Sequence, residues 1–357
     1  MASNNSENRN QIAGALTYPI RDESNVESVP IQPRQPRNLQ GLLRFAMEAT
    51  KAEDAPGESQ FGPMDEERRK FLEEALKSLT IDVAEVLQKA IKVLTDAEKI
   101  RNIQLGQDLP EDVATSLSNI HEFVGDIDIA NDFYKLGGFA IFPICFGSEN
   151  ATVRAEAGSI LAEVCQNNPF CQTRALECGL LNVLLHLVQS EEGVALAKCL
   201  YAISCITREF EPACRELSSQ DGCAILSQLL HSDDIRVRTK VAFLIAYLVR
   251  HHPYTKDKFF EENIIKTIAV ELDKGLNSGT SCLLNALLAL VEKLDPIALQ
   301  QLKNPTVGLK NILEKLWNEP ELKEPEYDEE RDCLKAIMEI FEKSPEVEVI
   351  NEDGADR

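Results

Sequence analysis

The sequence predicts an all-α protein, an α-solenoid of about four armadillo-like repeats with a helical cap at each end. Three observations carry this. An eight-residue apolar pattern at Ala157–Val164 returns at Cys199–Ile206, Val241–Leu248 and Leu283–Leu290, each time 42 residues further on. In every copy the first, fourth, fifth and eighth residues are small or aliphatic, the spacing of one buried helical stripe. That period falls in the ~40–47-residue range of helical repeats. The composition agrees: 44% hydrophobic with only 6% aromatic residues suits packed helices better than a β-sandwich.

Residues 1–37 are polar, rich in Asn, Ser and Pro, and without periodicity, so they are expected to be a disordered leader. Residues 38–63 hold a short apolar helix and a loop with Pro56, Gly57, Gly62 and Pro63. Leu39, Leu42, Leu43, Ala46 and Met47 form a stripe there, with Phe45 beside it. The segment reads either as a cap on the fold or as an apolar piece that binds a partner, since so short a helix is marginal without packing.

Residues 64–125 form the expected N-terminal helical cap. Asp65 caps a helix with Phe71, Leu72, Ala75, Leu76 and Leu79 on one face. A second helix is expected from about Asp82 to Asn102, and a third opening at Pro110. The four repeats occupy 126–296. Each is expected to have a short helix after a turn at Gly137-Gly138, Gly179, Gly222 or Asn263, then the long striped helix. Pro169, Pro212, Pro253 and Pro296 stand where the long helices should stop. Residues 297–345 form the C-terminal cap, with Leu334, Ile337, Met338 and Phe341 inward, and 346–357 an acidic tail.

The formal charge is −22. This argues against general affinity for nucleic acid or anionic membranes. Glu319–Arg357 carries 15 acidic and 5 basic residues, almost half of that excess. No apolar run is long enough to span a bilayer, and Met1–Asn10 has no signal-peptide core. The cytoplasm is the expected compartment, with the nucleus open to it. The ten cysteines contain no Cys-x-x-Cys pair, so a reduced, core-filling role is expected and no metal. His121, His186, His231, His251 and His252 are scattered, and no catalytic or nucleotide-binding motif is present. Neither an enzyme nor a cofactor is expected.

A solenoid instead offers a groove lined by its longest helices. The stripe register assigns that face to Glu156, Ser159 and Glu163, then Lys198, Tyr201 and Cys205, then Lys240, Phe243 and Tyr247, then Cys282, Asn285 and Ala289. Arg208 and Glu209 extend the second row; Arg236 and Arg250 flank the third. Tyr201, Phe243 and Tyr247 beside Lys198, Arg208, Arg236 and Lys240 make an aromatic–basic cluster of the kind that anchors interfaces. The plain alternative is core aromatics beside solvated charges; their clustering favours an interface.

Several stretches also resemble a family. They are Asn38-Leu-Gln-Gly-Leu-Leu43, Met64–Ala75, Ala197-Lys-Cys-Leu-Tyr-Ala-Ile-Ser-Cys-Ile-Thr-Arg-Glu209 and Lys240–Leu244. They resemble the armadillo-type nucleotide exchange factors of the heat-shock-70 chaperone, within the cytosolic heat-shock-70-binding protein family. The resemblance covers about residues 38–345. It implies a monomeric co-chaperone that clasps one lobe of the chaperone's ATPase domain in its groove, opens the nucleotide cleft and promotes ADP release, without binding nucleotide itself. Driving a closed cleft from ~1:99 to ~99:1 open takes ~5.5 kcal/mol of differential affinity. The resemblance also implies that Leu39, Leu42, Leu43, Phe45 and Met47 belong to a segment that hastens release of bound peptide. This sequence departs from a uniform groove at Glu163, which is acidic, and at the plain Asn285 and Ala289. The alternative is a passive armadillo adaptor for other proteins or extended peptides. Peptide-clamping grooves use ladders of Trp and Asn, whereas the only Trp here is Trp317, outside the repeats.

Overall fold

The computed structural model describes Glu66, Arg69, Lys70 and residues 82–293 and 295–344. The chain divides into two units, Met1–Ile81 and Asp82–Arg357. In the first unit Glu66, Arg69 and Lys70 are helical and exposed. The segment with Leu39, Leu42, Leu43, Phe45 and Met47, most of the helix expected after Asp65, and the acidic tail lie outside the described residues.

The second unit opens with Asp82 capping α1 (Val83–Leu94), its carboxylate accepting from the Glu85 N–H at 3.1 Å. A single helix to Asn102 was expected. The chain instead breaks at Thr95, whose hydroxyl donates to the Ile91 carbonyl at 2.7 Å, and Asp96 caps a separate α2 (Ala97–Arg101). A hydroxyl that takes a helix carbonyl, followed by a new cap, ends one helix and starts the next. α3 (Glu111–Val124) follows, with Pro110 at its N-cap rather than within its first turn.

Each repeat then has three helices where the pattern predicted two. The first runs α4 (Ile127–Lys135), a 3-10 turn leading into α5 (Ile141–Phe146), and α6 (Ala151–Cys165). The second has α7 (Pro169–Glu177), α8 (Leu180–Leu187) and α9 (Gly193–Thr207). The third has α10 (Glu211–Ser219), α11 (Gly222–Leu229) and α12 (Ile235–His251). The fourth has α13 (Tyr254–Glu261), α14 (Ile264–Leu272) and α15 (Thr280–Val291). The unforeseen helix is the first of each. It is short and mostly polar, and α7 buries only Cys171, Gln172 and Ala175. Eight or nine residues are too few to establish a period, and in α7 the buried face is mixed. The prolines do not merely stop the long helices. Pro169 and Pro212 stand in the first turn of the next helix, and Pro253 caps another, where no backbone N–H is required.

The turn between the first two helices has fixed geometry. Gly137, Gly179, Asp221 and Asn263, each 42 residues apart, all adopt the left-handed conformation. In the third repeat that position is Asp221, not the expected Gly222. Gly222 is needed for space: a Cβ there would sit 2.6 Å from Leu217 Cγ and its carbonyl oxygen.

All sixteen stripe residues are buried, none more than 2% exposed. They form one continuous core in which the long helices stack in sequence, α3 on α6, α6 on α9, α9 on α12 and α12 on α15. The α6–α9 pair packs closest because Gly158 lacks a side chain. A Cβ there would lie 3.2 Å from the Lys198 carbonyl carbon. Beyond Asp295, α16 (Pro296–Leu302), α17 (Leu309–Trp317) and α18 (Asp328–Lys343) repeat the three-helix order with longer loops, so the 42-residue register is lost. Leu334 and Ile337 are buried there, and Met338 and Phe341 half-buried.

Candidate functional site

The long helices carry their stripe residues inward, and the register fixes what stands beside the stripe. Glu156, Lys198, Lys240 and Cys282 occupy one position; Ser159, Tyr201, Phe243 and Asn285 the next; Glu163, Cys205, Tyr247 and Ala289 the last. Ser159, Cys205 and Ala289 are buried. The other positions in these rows are half-buried or exposed, with Phe243 at 50%.

Six of the residues singled out from the sequence come together. Tyr201, Cys205, Arg208, Lys240, Phe243 and Cys282 line a depression of about 430 Å³ along α9 and α12. The Arg208 guanidinium lies 5.3 Å from the Phe243 ring centre and 5.5 Å from that of Tyr247. Lys240 Nζ lies 5.5 Å from the Tyr201 ring centre. Each is a cation–π contact that holds a cation at the surface without neutralising it. The Tyr201 hydroxyl donates to Gln166 Oε1 at 3.2 Å. Cys205 forms part of the floor, and burial pushes its thiol up to about 11. Burial likewise raises Tyr201. Both groups therefore stay neutral at physiological pH, and the depression is a polar, cationic surface rather than a reactive one.

The remaining predicted residues lie around it or away from it. Lys198 donates to Ser159 Oγ at 2.9 Å. Glu209 is exposed, and its N–H donates to the Tyr247 hydroxyl at 2.5 Å. Arg236 turns to Asp234 at the start of its own helix, at 2.8 Å. Arg250 reaches Asn285 Oδ1 at 2.6 Å and Glu292 at 3.4 Å. None of the ion pairs among the described residues involves Lys198, Arg208 or Lys240.

Glu163 is engaged elsewhere. His121 on α3 contacts it through Nδ1 at 3.2 Å and contacts Glu156 through Nε2 at 2.9 Å. These two carboxylates raise His121 to about 9, and His121 in turn holds Glu156 below its ordinary value. The first-repeat face is thus a closed ion cluster. Sequence reasoning left His121 among scattered histidines, although it stands 42 residues before Glu163. The walls supplied by Gln166, Asn167, Ser204 and Thr239 carry no such signal. Gln166 and Asn167 lie past the end of α6, where the helical stripe carries no information.

Among the described residues no group of three or more His, Cys, Asp or Glu is placed to hold a metal, and no helix is long and apolar enough to cross a membrane.

Known proteins resemble this chain in sequence and in fold. The family model for the SIL1/FES1/HPBP1 C-terminal domain matches residues 129–237, and that for nucleotide exchange factor Fes1 matches residues 39–133. Hsp70-binding protein 1 of Mus musculus is 27% identical over 333 residues, covering 91% of this chain and 90% of its own. The Homo sapiens protein of that name is 27% identical over 326 residues, 87% of each. Nucleotide exchange factor SIL1 of Rattus norvegicus is 26% identical over 191 residues, 51% of this chain and 41% of its own. Among solved structures, a designed armadillo repeat protein in complex with the peptide (KR)4 superposes with a TM-score of 0.57 at 15% identity, over 73% of this chain and 100% of that one. The fold is that of an armadillo solenoid.

Proposed function

This chain belongs to the SIL1/FES1/HPBP1 family, and we propose from that premise that it is an Hsp70 nucleotide exchange factor. It binds the ATPase domain of Hsp70 through the face formed by its long helices, stabilises the open nucleotide cleft and promotes ADP release. The observation that supports this face is the cation–aromatic cluster of Tyr201, Arg208, Lys240, Phe243 and Tyr247. In a chain of charge −22, Arg208 and Lys240 on that face form no ion pair with a carboxylate among the described residues. Aromatic rings and arginine are the usual anchors of interfaces. Binding that favours the open cleft is sufficient for exchange, since a ligand shifts an equilibrium by its differential affinity. The chain's own chemistry is recognition rather than catalysis. The buried, neutral thiols suit a reducing compartment, and the proposed location is the cytoplasm.

The test is stopped-flow release of a fluorescent ADP from the purified Hsp70 ATPase domain. Wild-type protein at low micromolar concentration speeds release. The triple variant Lys198→Ala, Arg208→Ala, Lys240→Ala does so much less, with unchanged helix content by circular dichroism. No acceleration by folded wild-type protein would sink the exchange-factor reading and leave a passive adaptor. Equal binding by the triple variant would move the interface elsewhere. The segment with Leu39, Leu42, Leu43, Phe45 and Met47 is proposed to hasten peptide release. Deleting residues 1–50 then spares ADP release and slows peptide release.

A further inference from the structure

The bend after α9 is held from both sides, and by different repeats. Gln172 of α7, only 2% exposed, donates through one amide nitrogen to the Cys205 carbonyl at 2.8 Å and the Arg208 carbonyl at 2.9 Å. From the opposite side, the hydroxyl of Tyr247 on α12 accepts the N–H of Glu209 at 2.5 Å. Between these clamps Glu209 adopts φ 54°, a left-handed conformation. A glutamate visits that region rarely, because its Cβ crowds the following carbonyl. Such a residue persists only where its surroundings over-determine it.

The preceding repeat provides a control within the same chain. Asn167 stands 42 residues before Glu209 and has φ 52°. Asparagine tolerates this region through its short polar side chain. There the residue in register with Tyr247 is Cys205, which has no hydroxyl to offer, and Tyr201, one turn earlier, bonds the Gln166 side chain and not a backbone N–H. Where the chain carries a tolerant residue the backbone latch is missing, and where it carries an intolerant one the latch is present.

We propose that the Tyr247 hydroxyl is a positioning group: by fixing Glu209 in the left-handed turn, it holds the adjoining Arg208 on the rings of Phe243 and Tyr247, ready for the partner. A free loop would have to order on binding, and that cost would appear in the lifetime of the complex. The proposal rests on the exchange-factor reading for its partner, though not for the latch itself.

The two parts separate experimentally. Hydrogen–deuterium exchange at the Glu209 amide, in the full chain without partner, reads the latch. In Tyr247→Phe the ring that supports Arg208 stays and only the hydroxyl is lost. Exchange at Glu209 should then quicken at least about tenfold, since the donor loses its acceptor. The complex with the Hsp70 ATPase domain should dissociate about fivefold faster, the loss expected for one hydrogen bond. Adding Glu209→Gly to Tyr247→Phe should restore the wild-type dissociation rate, because glycine enters the left-handed region unaided. Glu209→Gly alone is the reference that removes any contact of the Glu209 carboxylate with the partner, and the double variant should dissociate no faster than it does. Unchanged exchange at Glu209 in Tyr247→Phe would overturn the latch. A double variant that dissociates as fast as Tyr247→Phe would overturn its positioning role. Wild-type protein that fails to bind the ATPase domain would instead sink the functional reading and, with it, the role for Arg208. The exchange measurement would still decide the latch.

Discussion

Position for position, α6 offers Glu156, Ser159 and Glu163 where α9 offers Lys198, Tyr201 and Cys205, and α12 offers Lys240, Phe243 and Tyr247. The helices have the same buried stripe, the same register and the same neighbours on either side. Their outer chemistry is opposite. In the first repeat the acids are consumed internally, by His121 from α3. In the second and third Arg208 and Lys240 rest on aromatic rings and keep their charge available. A repeat scaffold therefore does not distribute its surface chemistry evenly. The stripe decides that the helices stack, and the residues beside it decide which repeats neutralise their own charge and which keep cations on rings.

The sharpest way to break the comparison is at what both regions share. Gly158→Val places a branched side chain against the Lys198 and Cys199 backbone, which cannot swing aside. It should lower stability by about 3 kcal/mol in chemical denaturation. A variant as stable as wild type would show that α6 and α9 do not need their close approach.

The next largest effect comes from making the open repeats resemble the sealed one. Lys198→Glu with Lys240→Glu puts acids at both positions that match Glu156. Affinity for the Hsp70 ATPase domain, measured by calorimetry, should fall at least about a hundredfold, roughly 2.7 kcal/mol, with helix content kept. Loss of less than about threefold, some 0.6 kcal/mol, would move the interface off these repeats.

Unsealing the first repeat should affect stability rather than exchange. His121→Ala leaves two facing carboxylates and should cost about 2 kcal/mol near pH 6. The sign follows from direction: His121 is raised to about 9 from 6.5. Its contribution is thus complete below about 6.5 and is lost as pH rises through about 9. Denaturation at pH 6 and pH 10 should show the gap between wild type and variant shrinking at the higher pH. Glu156, held low, keeps its charge throughout that window. A gap that grows with pH would refute the ion cluster. The smallest effect is expected for Glu163→Gln, which should change affinity by less than about twofold, within ~0.4 kcal/mol, because Glu163 already faces His121.

Much of the fold was legible in the residues themselves. The stripes at Ala157, Cys199, Val241 and Leu283 are what a helix buried on one side must show, and burial of all their members follows from that pattern. The first helix of each repeat was not legible, since a nine-residue polar helix such as Pro169–Glu177 is held by its neighbours rather than by its own face. The aromatic and basic residues of the candidate site were legible because the register assigns positions to faces. Which of them meet was not: Arg236 and Arg250 have the same chemistry as Arg208, yet turn to Asp234 and to Asn285 and Glu292.

By itself, then, the sequence determined the period, the buried stripe and the rows beside it, because helical periodicity is local and repeats in one dimension. The tertiary structure alone decided that His121 closes the first repeat, that Arg208 settles on Phe243 and Tyr247, and that Gln172 and Tyr247 grip one bend from two repeats. Those contacts join side chains about 35 to 42 residues apart, across helices whose spacing is set by how closely their cores pack.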